Sequence, residues 1–188
     1  MGALSSLVAG HGNAPRWRVG LLVFVVMLVA GSAAAKSSST DLRTFVDAHN
    51  AVRAGVQKPA GYTGPWTPIP PVTWSNELAA TAQAWADHLR DTNKCGLIHS
   101  DARLGENLAG GKDLDIAHAV KMWADEGEHY SYSPQYEFEI PTGHYTQVVW
   151  RNTQKVGCAL HDCPGLQYGS SIVCDYGPGG NFNGEKPY

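Results

Sequence analysis

The chain has 188 residues, with 14 Lys and Arg against 17 Asp and Glu for a net charge of −3, and 43% of its residues are apolar. No run of like charge occurs, which argues against nucleic acid or an anionic membrane as the main partner. The length suits one domain with a core of its own, once a leader has been removed.

That leader is the first stretch. Arg16 and Arg18 precede an apolar run from Leu21 to Ala30, too short to span a bilayer comfortably, and Gly31-Ser32-Ala33-Ala34-Ala35 follows. Residues 1–35 read as a signal peptide cut after Ala35, which leaves no membrane-spanning segment. Its removal takes two of the 14 basic residues and none of the 17 acidic ones, so the remaining 153 residues carry a net −5. The destination is extracellular, or periplasmic in a Gram-negative cell. All four cysteines, Cys95, Cys158, Cys163 and Cys174, are in the exported part, and an even count in an oxidising compartment predicts two disulfides.

Residues 36–41 are a polar, serine-rich leader expected to be flexible. Leu42, Phe45, Val46, His49, Val52 and Val56 then recur at helical spacing, with Thr40 or Asp41 as the cap and Gly55 near the end. His49 and Arg53 lie one turn apart and read as packing and hydrogen-bonding residues rather than ligands. Gln57 to Pro71 holds five prolines and is expected to be an ordered extended loop. A short strand at Val72–Trp74 leads to a helix capped by Ser75 or Asn76, whose apolar face is Leu78, Ala82, Trp85 and Leu89. After Cys95 come Leu97-Ile98-His99 and Gly105-Glu106-Asn107-Leu108-Ala109. Asp113 is the expected cap of a third helix carrying Ile116, Val120 and Trp123, with Glu126 in its last turn and Gly127 ending it.

Glu128 to Thr142 is a long loop rich in aromatics. The next segment, Gly143-His144-Tyr145-Thr146-Gln147-Val148-Val149-Trp150, anchors an ionisable imidazole at the edge of an apolar run, a placement suited to a ligand or to acid/base chemistry. Lys155–His161 and Ser171–Tyr176 alternate like two strands around the turn Cys163–Gly169. A turn centred on Leu166 sets Cys158 opposite Cys174, which leaves Cys95 to pair with Cys163.

Four ordered blocks carry a resemblance. They are His49-Asn50-x-x-Arg53, Gly105 to Ala109, Gly143 to Trp150, and Val173-Cys174-Asp175-Tyr176-Gly177-Pro178-Gly179-Gly180-Asn181. Together they resemble the CAP superfamily of cysteine-rich secretory proteins, antigen 5 allergens and pathogenesis-related class 1 proteins, from about residue 42 to residue 188. The resemblance implies one α+β domain, a three-layer α-β-α sandwich, with Glu106 on a strand and His144 starting a short fourth helix. It also implies a cleft with a tetrad of His99, Glu106, Glu126 and His144, in which the two histidines hold zinc or another divalent cation. Tyr130, Tyr132, Tyr136 and Phe138 are spaced like the aromatic loop through which members bind sterols.

Three functions follow as expectations. The favoured one is a binding module for a small apolar ligand, a sterol or fatty acid. A metal-assisted hydrolase working from the tetrad is the less favoured alternative, because no H-E-x-x-H or G-x-S-x-G motif is present. An extracellular receptor or cell-wall ligand is the third.

Overall fold

The structure is a computed structural model and describes residues 39–133 and 138–188. The expected signal peptide, the first leader residues and Tyr136 lie outside the described residues.

Helix α1 spans Ser39–Gly55. It begins ahead of the expected cap, so residues 39–41, assigned above to the leader, are helical. Polar residues are at home in a first turn, whose N–H groups have no intrahelical acceptor to lose. Strand β1 is only Thr73–Trp74. Helix α2, Asn76–Asn93, starts where Ser75 Oγ accepts from Leu78 N and stops where Lys94 turns left-handed (φ 51°). After β2, Gly105–Gly111, helix α3 covers Ile116–Asp125. Its cap is Asp115, not Asp113: Asp115 accepts from His118 N at 2.8 Å, while Asp113 adopts φ 55° in the preceding turn. A single 3₁₀ turn, Glu126–His129, follows α3, so Glu126 lies just past the helix rather than in its last turn. Helix α4 is Gly143–Val148, and β3, Lys155–Asp162, and β4, Ser170–Gly177, complete the fold.

The sheet order is β1-β3-β4-β2, parallel between β1 and β3 and antiparallel elsewhere. The β3–β4 register pairs Cys158 with Cys174, as the turn centred on Leu166 requires, and the disulfides are Cys95–Cys163 and Cys158–Cys174.

Alternation along the strands gives the sheet two apolar faces. Leu108, Ala159 and Val173 pack under Ala82, Ala86 and Leu89 of α2. Val156, Ile172 and Cys174 face the other way, toward Phe45 of α1, Trp123 of α3 and Val148 of α4. This is the expected α-β-α sandwich. On the α2 side the approach is so close that a Cβ at Gly157 would collide with the backbone at Ala79 and Ser75, so only glycine fits there. Among the described residues no helix is long and apolar enough to cross a membrane.

Candidate functional site

A buried polar chain under the sheet edge places His144. His49 donates from Nδ1 to the Phe45 carbonyl (2.7 Å) and accepts at Nε2 from the Tyr176 hydroxyl (2.8 Å). The carbonyl can only accept, which fixes the tautomer, and burial pulls this imidazole down to about 4, so it stays neutral. Tyr176 accepts from Asn107 Nδ2 (3.2 Å), and the same amide reaches the His144 carbonyl at 3.1 Å. One residue each from α1, β2, β4 and α4 is thereby joined in a satisfied network. A second set of bonds ties α4 to the segment after β4. Gly180 N donates to Gln147 Oε1 (2.8 Å), and Asn181 Nδ2 donates to the Gly143 carbonyl (2.8 Å).

On this frame the predicted tetrad forms two pairs. His99 Nδ1 donates to Glu106 Oε1 at 2.7 Å, and that oxygen also accepts from Ser100 N at 3.0 Å. His144 Nδ1 donates to Glu126 Oε1 at 2.6 Å, while Glu126 Oε2 accepts from His144 N (2.9 Å) and Tyr145 N (3.1 Å). Each glutamate therefore fixes a ring and caps backbone N–H groups at once. The Glu106 bond raises the pKa of His99 above its ordinary value, against a smaller opposing effect of burial. In both rings Nδ1 is taken by a carboxylate and Nε2 is the nitrogen left for a ligand, the arrangement in which histidines commonly serve metals. Among the described residues no three His, Cys, Asp or Glu side chains converge as a ready-made set for a metal ion. Each pair therefore offers a single imidazole nitrogen as a donor, and the cavity beside the first pair is lined by His99 and Glu106 but not by His144 or Glu126.

A cavity of about 240 Å³ opens beside the first pair, lined by His99, Glu106, Phe138, Gln147 and Asn181 among others. The four aromatic residues expected to act together are divided. Phe138 lies in this cavity and covers Gly143. Tyr130 and Tyr132 turn instead toward Tyr188, with ring centroids at 5.8 and 6.4 Å, and Tyr130 also meets Tyr145. Partly buried rings gain more from one another than from solvent. Tyr136 is outside the described residues.

Sequence reasoning did not single out Asn107, Gln147 or Asp175. All three lie inside the four blocks, which was the available signal. Asp175 faces Glu106 in the β2–β4 register, and burial, with the nearby Glu106 charge, pushes its carboxyl up to about 7.

A profile of the cysteine-rich secretory protein (CAP) family matches residues 46–176. Pathogenesis-related protein 1A of Nicotiana tabacum is 40% identical over 171 residues, covering 89% of this chain and 90% of its own. Pathogenesis-related protein 1 of Arabidopsis thaliana is 39% identical over 172 residues, covering 89% and 94%. Among solved structures, NaASP2 with Zn²⁺ has a TM-score of 0.64 at 26% identity, covering 82% of this chain and 88% of that one. Venom allergen-like protein 4 of Schistosoma mansoni has a TM-score of 0.57 at 25% identity, covering 80% and 95%.

Proposed function

The chain belongs to the cysteine-rich secretory protein (CAP) family, with pathogenesis-related class 1 proteins among its relatives, and from that membership we propose an extracellular binding protein for a small apolar ligand, a sterol or fatty acid. The supporting observation is that Phe138, which lines the cavity, is an exposed apolar side chain, and that two more, Ile140 and Phe182, lie in the segments next to Phe138 and Asn181. Phe138, Ile140 and Phe182 are 43%, 82% and 53% exposed. Phe138 N donates to Asn183 Oδ1 at 3.1 Å, which brings the two segments side by side. At roughly 25 cal/mol per Å² of apolar area, a ligand covering two of these side chains gains several kcal/mol. The cavity is small enough that only the ligand's polar end enters it, beside His99 and Glu106. Binding is favoured over turnover because both glutamates are engaged in ring and backbone hydrogen bonds and are poorly placed to act as bases.

The test is equilibrium binding of cholesterol, ergosterol and palmitate to the purified protein. Phe138→Ala is expected to weaken binding several-fold and Tyr132→Ala to leave it unchanged. If no lipid binds the wild-type protein at micromolar concentration, the reading fails.

A divalent cation is a second reading, favoured by the two open Nε2 atoms and by the likeness to NaASP2, whose structure was solved with Zn²⁺. His99 and His144 would hold the ion, which would supply a Lewis acid for an anionic head group. Calorimetry with Zn²⁺ should show binding to wild type and its loss in the His99→Ala/His144→Ala double variant.

A further inference from the structure

Strands β2 and β4 set Glu106 directly opposite Asp175. The two side chains therefore leave the sheet on the same face with Cβ atoms about 5 Å apart. Both are withdrawn from water, Asp175 at 1% and the Glu106 side chain at 7% exposure. Each keeps one buried carboxyl oxygen without a hydrogen-bond partner, Glu106 Oε2 and Asp175 Oδ1. Two buried anions one strand apart, each with an idle oxygen, are opposed by both desolvation and like-charge repulsion.

The surroundings supply no compensating cation on the Asp175 side among the described residues. Its partner on β3 is Gly157, which has no side chain. The buried face of α2 over this part of the sheet is Leu78, Ala82, Ala86 and Leu89, all uncharged. Tyr176, the next residue of β4, points to the opposite face and into the His49 network. On β2 the only charged neighbour is Glu106 itself, whose Oε1 is committed to His99 and Ser100.

One proton placed between the two idle oxygens removes both defects. We propose that Asp175 is a fifth residue of the cleft, a carboxylic acid whose O–H donates to Glu106 Oε2 and so fixes the carboxylate that grips His99 and the Ser100 backbone. Asp175 is a positioning residue, since it acts on the imidazole only through Glu106. The upward push on its carboxyl, to about 7, comes from burial first and Glu106 second, as this geometry requires. With that proton in place the line Asp175–Glu106–His99 is acid, carboxylate and a histidine ring whose pKa the same carboxylate holds above its ordinary value. Above about pH 7 the proton leaves, two anions face each other, and the hold on His99 loosens. The inference concerns the free protein and does not depend on which ligand the cleft takes.

Carbon-detected NMR of the side-chain carboxyls of the mature chain reads the proposal directly. The Asp175 Cγ signal is expected to titrate with a midpoint within a unit of 7, and a midpoint below 5 overturns the assignment. Asp175→Asn places an N–H where the O–H is proposed, at every pH. Its melting temperature should exceed that of wild type at pH 8 by on the order of 5 °C, with the gain gone by pH 4. A gain that is absent at pH 8, or equal at both pH values, contradicts the shared proton. A merely structural role would leave the His99 ring nitrogens unaffected. The wild-type Nδ1–H signal should instead lose its strong hydrogen-bond shift above pH 8 while that of the Asn variant keeps it. Lipid and Zn²⁺ binding at pH 6 are measured separately, so failure of those readings is distinguishable from failure of this one.

Discussion

Arg53 organises more backbone than any other single side chain near the site. Nε donates to the Pro70 carbonyl (2.7 Å), Nη1 to those of Val148 (2.8 Å) and Trp150 (2.9 Å), and Nη2 to that of Thr153 (3.1 Å). The guanidinium is 1% exposed, and burial draws its pKa down to about 10. Four carbonyl dipoles face its charge, and a planar fork is what lets one side chain reach all four. Arg53→Lys keeps the charge but not the fork, and it should cost about 3 kcal/mol in urea unfolding through the carbonyls left unpaired. A loss under about 1 kcal/mol means those bonds contribute little. The role of Arg53 was legible because helical spacing alone puts it and His49 on the inner face of α1. The roles of Asp175 and Glu126 were not. Nothing local shows that Asp175 will meet Glu106 across a strand pair, or that Glu126 will cap a helix that begins many residues later.

Among the elements, the β3–β4 hairpin was the most legible, because its turn fixes the register and the register fixes one cysteine pair. The Glu128–Thr142 loop was the least. Spacing along a loop says that Tyr130, Tyr132 and Phe138 are close in sequence, but not that two of them will meet Tyr188 while the third lines a cavity. The third helix was legible in its apolar positions and misread at its cap, since Asp113 and Asp115 are both good capping residues and only the turn geometry separates them. One disulfide ties the hairpin to the end of α2 and the other joins β3 to β4 within it, and together they give a size-dependent test. Cys95–Cys163 spans 68 residues and Cys158–Cys174 spans 16. On the chain-entropy account, replacing the first pair by serines should cost about 4 kcal/mol and the second about 3. Guanidinium unfolding of the two double variants checks the order. If the hairpin bridge costs more, its packing in the native core outweighs loop closure.

For the domain as a whole, two buried groups oppose each other in their response to pH. His49 is held at about 4, below its ordinary 6.5, so the unfolded chain binds the extra proton between those values and stability falls as pH drops through them. Over the full window that loss is on the order of 3 kcal/mol. Asp175 is held at about 7, above its ordinary 3.8, so here the folded chain binds the extra proton and stability rises as pH drops from 7 toward 3.8. Other shifted groups act outside this overlap. Asp91 and Asp115 are lowered and lose their contributions below pH 3.8, whereas His99 is raised and loses its contribution as pH climbs above 6.5. Between about pH 4 and 6.5 the two buried groups should therefore nearly cancel, giving wild type a flat stability profile. Single replacements expose each slope. Asp175→Asn should lose stability steadily on acidification across that window, and His49→Gln should gain it. Urea unfolding at half-unit pH steps on the three proteins reads all of this. A wild-type profile as steep as that of Asp175→Asn would mean that Asp175 is ionised throughout that window.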